Sequence, residues 1–140
     1  MEKWKEIPFE PLEEQSEMGQ YGWIWPKEGI ISASSKPVLE HERAHVELGH
    51  AILGKRMKGK RDSLAYLKRE MDAYAFPLAK GRFTVDEFLD EWHILETSSE
   101  SELESLSRQL GNSLLRLYRK NLITKEEYQT TKDLVYEKIK

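Results

Sequence analysis

Two histidines and a glutamate in the run His41-Glu42-Arg43-Ala44-His45 are the residues of this chain best suited to chemistry. On a helix, positions four apart lie one turn apart on the same face, so both imidazoles can bind one metal ion. Glu42 is suited to act as the general base on a metal-activated water. The pattern arises by chance in roughly one of two hundred chains of this length, so the flanking sequence has to support it.

The flanking residues predict a helix that carries the motif. Ser35 and Pro37 are typical of a helix start, and Gly54, followed by basic residues, is typical of an end. Between them, apolar residues and both histidines recur at helical spacing: Val38, His41, His45, Leu48 and Ile52. We therefore expect both imidazoles to face the protein interior. The alternative is that both are ordinary core histidines bonded to backbone carbonyls. The correct spacing of two histidines around a glutamate makes this alternative the weaker one.

A catalytic zinc ion usually takes three protein ligands and leaves a fourth position for water. The best candidate for the third ligand is Glu70, which flanks the apolar stripe of a second predicted helix that Pro77 should end or kink. That stripe consists of Leu64, Leu67, Met71, Tyr74 and Leu78. A loop from Gly54 to Asp62 is long enough to let the second helix fold back on the first. A surface glutamate paired with Lys68 or Arg69 is the ordinary alternative.

Four further residues compete for the role of third ligand: Asp72, Glu47, His50 and His93. His50 lies five residues beyond His45 and is rotated off the metal-binding face. His93 lies far downstream of the motif.

The two motifs together resemble the gluzincin branch of zinc metallopeptidases, in which a helix with H-E-x-x-H is followed by a helix with Glu-x-acidic-Ala-x-x-Phe. Within that branch the chain is similar to the small minigluzincins and to the anti-repressor and irradiation-response group known as ImmA/IrrE. The resemblance covers roughly residues 30 to 80. The matching residues are His41, Glu42, His45, Glu70, Asp72, Ala73 and Phe76. Two positions depart from the pattern: Tyr74, where many relatives carry Asp or Asn, and Ala44, where the close group often has Gly.

The resemblance implies a zinc metallopeptidase that hydrolyses peptide bonds in a protein or peptide substrate. It implies one Zn²⁺ held by His41, His45 and Glu70, with Glu42 as the general base. Tyr66, Arg69, Tyr74 and His93 all qualify as the group that stabilises the transition state, and Asp72 is a candidate acceptor for an imidazole N–H. The alternative function is a catalytically silent, metal-stabilised regulatory or interaction protein. A helical module without metal is a third interpretation.

The composition limits the remaining possibilities. A chain of 140 residues predicts a single domain over 1–140. The net charge of −3 implies neither a nucleic acid nor an anionic membrane as a partner. Because the chain has no cysteine, disulfides and thiolate metal sites are excluded. The N-terminal region has no apolar run, so we expect no signal peptide, no transmembrane helix and a cytoplasmic protein.

The segments before the motif predict extended structure. Residues 1–20 suggest an extended or loosely tethered segment, whereas 21–26 and 29–33 are typical of two short strands in a hairpin. Residues 29–33 can either accept an extended substrate by strand addition or merely cover the helical core. The stretch from Trp4 to Leu12 can lie in such a cleft, which is a hypothesis of self-inhibition by the N-terminal segment.

The C-terminal region, 83–140, predicts helices that extend the metallopeptidase core of 21–80. Capping boxes start helices at Thr84 and Thr124, and the first of these helices should run to about Glu96. Ser99 or Ser101 should start the helix between them, with a core face of Leu103, Leu106, Leu110, Leu114 and Leu117. The predicted fold is a mostly α-helical α+β domain. It has a small N-terminal β-sheet packed on a zincin-like two-helix metal site, followed by three C-terminal helices.

Overall fold

The computed structural model describes residues 4–8, 22–26, 28–52, 54 and 64–139. The predicted loop from Gly54 to Asp62, apart from Gly54 itself, and most of the segment 1–20 lie outside the described residues. The fold class is confirmed, because the described residues are mostly helical with a small N-terminal sheet. Within the same residues, every helix is too short or too polar to span a lipid bilayer.

The elements follow one another in the order of strands first and helices after. The strands are β1 (Lys5–Pro8), β2 (Gly22–Trp25) and β3 (Ile30–Ala33). The helices are α1 (Lys36–Glu47), α2 (Leu64–Ala79), α3 (Val85–Glu91), α4 (Ile94–Thr97), α5 (Glu100–Arg119) and α6 (Lys125–Ile139). The chain divides into two compact units, Met1–Arg69 and Glu70–Lys140, and the division falls inside α2. The single domain over 1–140 therefore stays a prediction.

The sheet of the first unit has β3 at its centre. β2 pairs antiparallel with β3, which confirms the predicted hairpin. β1 pairs parallel with the other edge of β3, with Lys5 opposite Ile30 and Pro8 opposite Ala33. The extended character expected of the N-terminal segment is thus present at residues 5–8 as a third strand. Both edges of β3 are occupied, so an added peptide strand has no free edge there while β1 is in place.

An ion pair ties β1 to α1. The Arg43 guanidinium donates to both carboxylate oxygens of Glu6, from Nε and, at 2.6 Å, from Nη2. Its Nη1 donates to the buried Glu40 at 2.6 Å. The hydrogen bond from Arg43 lowers the pKa of Glu6 below its ordinary value of 4.5. The Glu6–Arg43 ion pair therefore contributes its full stabilisation to the folded protein at neutral pH. This contribution is lost as the pH falls through the lowered pKa of Glu6.

Helix α1 starts as predicted and ends seven residues before the predicted exit at Gly54. Ser35 is the N-cap, and its hydroxyl accepts a hydrogen bond from the Val38 N–H at 3.4 Å. The end is set by Gly49, whose φ of +79° reverses the chain. The N–H groups of Gly49 and His50 donate to the carbonyls of Val46 at 3.1 Å and His45 at 2.7 Å. These two bonds make a Schellman motif, the usual ending at a left-handed glycine.

The early end of α1 corrects the predicted apolar stripe. Ile52 lies beyond the helix and is 52% exposed, so its assignment to the buried face is wrong. Val38, His41 and His45 are buried as expected. The helical spacing simply stops applying once Gly49 has turned the chain.

Helix α2 differs from its prediction at both the end and the buried face. Pro77 lies inside the helix, in its last turn, and α2 ends at Ala79. Leu64 and Leu67 of the predicted stripe are 68% and 54% exposed. The buried residues are concentrated in the second half of the helix instead: Asp72, Ala73, Ala75, Phe76, Pro77, Leu78 and Ala79. Three of these buried residues are alanines, which a search for large apolar residues overlooks.

The C-terminal helices of the second unit begin where their capping boxes place them. Thr84, Ser99 and Thr124 each accept a hydrogen bond from a backbone N–H three residues later, and a glutamate returns the bond. The helix expected to reach Glu96 is broken after Glu91, because His93 adopts a left-handed φ of +50°. The single helix predicted for this stretch is therefore two helices, α3 and α4. The predicted core face of α5 is confirmed at Leu110, Leu114 and Leu117, which are buried.

Replacing Gly49 by alanine should destabilise the protein by about 1 kcal/mol, because alanine disfavours positive φ. A Cβ at this position meets no atom within 4 Å, so the effect isolates the backbone conformation. Gly111→Ala is the matched control, since Gly111 is helical, without positive φ, and equally open. That substitution should stabilise the protein by about 0.5–1 kcal/mol. Urea unfolding measures both, and a Gly49→Ala protein as stable as the control would contradict the role of this turn.

Candidate metal centre

The two histidines of the motif lie buried on one face of α1. His41 is 5% and His45 is 6% exposed, and their ring centroids are 4.7 Å apart in an edge-to-face arrangement. Ala44, on the same buried side of the helix, has no exposed surface. The helical spacing therefore places both imidazoles inside the protein, as predicted from the sequence.

Glu70 of α2 completes a group of three potential ligands with these histidines. One ligand atom of each of His41, His45 and Glu70 lies within 4.8 Å of the other two. Among the described residues, this is the only group of three or more potential ligands that meets this criterion. The predicted ligand set is thus brought together, whereas the competing candidates Asp72, Glu47, His50 and His93 are not members of the group.

The chemistry of this donor set fits a divalent transition metal, and zinc in particular. Two imidazoles and a carboxylate are a common zinc ligand set, with bonds of about 2.0–2.2 Å. In a tetrahedral site such bonds place ligand atoms about 3.3–3.6 Å apart. The ligand atoms lie within 4.8 Å of one another, so a bound ion would require side-chain rotations that bring them closer.

Glu42 lies on the same helix as both histidines and is half-buried. Its place in the sequence keeps it within one residue of His41, which suits a base that acts on water near the ligands. Glu42 already makes an interaction within the protein. Its role as the general base stays a prediction.

Asp72 has a partner other than the one suggested for it. Its Oδ1 accepts a hydrogen bond from Nη2 of Arg116 at 2.7 Å, and the same nitrogen donates to Oγ of Ser113 at 2.7 Å. This partly buried ion pair joins α2 to α5 and accounts for the acidic residue at position 72. The proposed role of Asp72 as the acceptor for an imidazole therefore has no support from these contacts.

The candidates for stabilising the transition state are separated by their surroundings. The Tyr74 ring packs against Phe88 and Trp92, with centroid distances of 5.4 and 5.0 Å. His93 is exposed and precedes α4 as its N-cap residue. Tyr66 and Arg69 are half-buried on α2. The contacts of these four residues do not single out one donor, and the choice among them stays open.

His50 lies closer to His45 than the sequence predicts. Nδ1 of His50 lies 3.0 Å from Nδ1 of His45, within hydrogen-bond distance. A helix that continued to Gly54 would rotate His50 away from His45, whereas Gly49 ends the helix and returns His50 toward His45. The glycine directly before His50 is the signal in the sequence that could have revealed this.

Comparisons of this chain with models of protein families, with curated proteins and with solved structures gave no match.

Glu70→Gln should lower the zinc affinity more than about a hundredfold, because losing a residue that only supports a ligand already costs about 10–100-fold. The matched control is Glu47→Gln, which removes an exposed carboxylate at the end of α1 and should leave the affinity unchanged. Competition with a chromophoric chelator measures both affinities. Equal affinities for the two variants would exclude Glu70 from the site.

Proposed function

We propose that this protein is a zinc-dependent metallopeptidase of gluzincin type that hydrolyses peptide bonds in a protein or peptide substrate. The observation that carries the proposal is the grouping of His41, His45 and Glu70 within 4.8 Å, with Glu42 adjacent in the motif. Residues 41 and 70 are far apart in the sequence. Chance occurrence of the H-E-x-x-H pattern does not explain why a carboxylate from another helix joins it.

The number of ligands favours a catalytic over a structural metal site. Structural zinc sites are usually closed by four protein ligands, whereas catalytic sites use three and keep a position for water or substrate. The group among the described residues has three members. When bound, zinc lowers the pKa of a coordinated water and polarises the carbonyl of the scissile bond.

Glu42 supplies the proton transfer that amide hydrolysis requires. Its carboxylate accepts a proton as the water oxygen bonds to the carbonyl carbon, and it returns this proton to the nitrogen as the C–N bond breaks. The products are a carboxylic acid and an amine, so the atoms balance without any other reactant. A purely structural metal site needs no base at position 42. Its presence favours the enzyme over a catalytically silent regulatory or interaction protein.

The N-terminal strand provides a means of self-inhibition for such an enzyme. β1 covers the edge of β3 that was a candidate for binding substrate by strand addition, and Arg43 of the motif holds it there through Glu6. A peptide that adds to this edge has to displace β1. The strength of the Glu6–Arg43 pair then sets part of the fraction of protein that is accessible to substrate.

Glu42→Gln should abolish peptide cleavage and retain about one bound zinc, because the substitution removes the base and leaves the three ligands in place. Metal analysis and cleavage of casein or a mixture of peptides are measured on the wild type and the variant in parallel. Glu47→Gln is the control of the same chemistry and should cleave like the wild type. Zinc binding without cleavage by the wild type, across varied substrates, would favour the silent regulatory protein.

Glu6→Gln should raise the cleavage rate about two- to fivefold, since a partly exposed ion pair contributes about 0.5–1 kcal/mol to keeping β1 in place. Lys5→Gln is the control, because it changes the charge of a neighbouring residue of β1 that is exposed. Deletion of residues 1–18 should raise the rate further. Unchanged cleavage in the Glu6 variant and in the deletion would count against self-inhibition and leave the peptidase proposal intact.

A further inference from the structure

We infer that His50 is a positioning residue for a metal ligand: its Nδ1 accepts a hydrogen bond from the Nδ1–H of His45, which leaves Nε2 of His45 to bind the metal. The inference deepens the proposed function and rests on it for the role of the metal. The hydrogen bond itself is a property of the protein alone.

The distance between the two rings is that of a hydrogen bond. The two Nδ1 atoms are 3.0 Å apart, and the ring centroids are 5.2 Å apart with the planes tilted by 58°. A neutral imidazole has one N–H donor and one acceptor nitrogen, so a pair of neutral rings at this distance has one donor and one acceptor.

The backbone fixes His50 beside His45 as well. The N–H groups of His50 and Ala51 both donate to the His45 carbonyl, at 2.7 and 3.1 Å. The carbonyl and the side chain of His45 are therefore both bonded to the turn that Gly49 starts. Two sets of bonds to the same residue restrict where the His50 ring can lie, so its Nδ1 is held near that of His45.

Only one of the two donor and acceptor arrangements leaves His45 able to bind a metal. A nitrogen that binds a metal has no proton, and Nδ1 of His45 is engaged by His50. The remaining nitrogen, Nε2, binds only if the proton of the neutral ring is on Nδ1, from which it is donated to His50. The opposite arrangement, in which His50 donates, places the proton of His45 on Nε2 and blocks the metal. Fixing the tautomer in this way is what partners of metal-binding histidines generally do.

A direct role of His50 as a fourth ligand is the competing arrangement. The 3.0 Å between the two Nδ1 atoms is an ordinary hydrogen-bond length. His50 is also not part of the group formed by His41, His45 and Glu70 among the described residues. A fourth ligand would moreover remove the open position that a catalytic site needs.

The first test measures the tautomer of His45 in metal-free protein at a pH where the rings are neutral. Nitrogen chemical shifts of ¹⁵N-labelled histidines distinguish the Nδ1–H from the Nε2–H form. We expect the Nδ1–H form in the wild type and in His50→Asn, whose Oδ1 lies near the position of the histidine Nδ1 and accepts the same bond. His50→Ala should shift the population toward Nε2–H. A wild type with His45 in the Nε2–H form, or no change in His50→Ala, would overturn the inference.

The second test measures metal affinity. His50→Ala should weaken zinc binding by about 10–100-fold, and His50→Asn should recover most of the loss. The control His93→Ala replaces an exposed histidine outside the group and should bind like the wild type. A purely steric role would leave the asparagine variant as weak as the alanine variant, which contradicts a bond to Nδ1 of His45.

Cobalt substitution separates a positioning residue from a ligand. The visible absorption bands of the Co²⁺-loaded protein should keep their energies in His50→Ala and His50→Asn, because the ligands are unchanged. A shift of these bands to energies typical of a different coordination number or donor set would identify His50 as a ligand and overturn the inference. Circular dichroism confirms that each variant is folded before its affinity is compared.

The two proposals fail in different ways. If the wild type binds zinc and cleaves peptides while His50→Ala matches it in affinity, the inference about His50 is wrong and the peptidase stands. If the wild type binds no zinc, the peptidase is wrong, and the tautomer measurement on metal-free protein still decides the hydrogen bond.

Discussion

The burial of two imidazoles on one turn of α1 is the constraint on which the rest of the structure depends. A buried polar ring is costly unless its nitrogens are satisfied by hydrogen bonds or a metal. His41 and His45 are 5% and 6% exposed, side by side. The turn after α1 places His50 within hydrogen-bond distance of His45, and a carboxylate oxygen of Glu70 lies within 4.8 Å of both imidazoles. A helix face of plain apolar residues would need neither.

Helix α1 separates its structural and chemical tasks by face. The histidines occupy the buried face, whereas the half-buried Arg43 joins the buried Glu40 and the strand β1. The ion pair thus fixes the N-terminal strand against the same helix that carries the proposed zinc ligands. A change at the N-terminus can reach the site through one residue of the motif. This proximity gives the proposed self-inhibition a physical basis without a long pathway.

Local sequence signals predicted much of this fold, and contacts between distant residues account for the rest. The capping boxes at Thr84 and Thr124 were readable because each involves residues three apart. The spacing of His41 and His45 likewise fixed their common face. The ending at Gly49 was missed because Gly54 carried a similar signal. The parallel pairing of β1 depends on residues 25 positions away, and no local pattern specifies such a partner. The position of His50 was missed for the same reason, because it depends on the turn at Gly49.

The proposed site has two imidazoles and one carboxylate that hold a single zinc ion with a position left open. X-ray absorption at the zinc edge of the zinc-loaded protein measures this coordination directly. We predict about two imidazoles and one carboxylate, with light-atom distances of about 2.0–2.2 Å and a remaining oxygen from water. A protein that retains no zinc after dialysis, or a zinc shell without imidazole scattering, would contradict the claim.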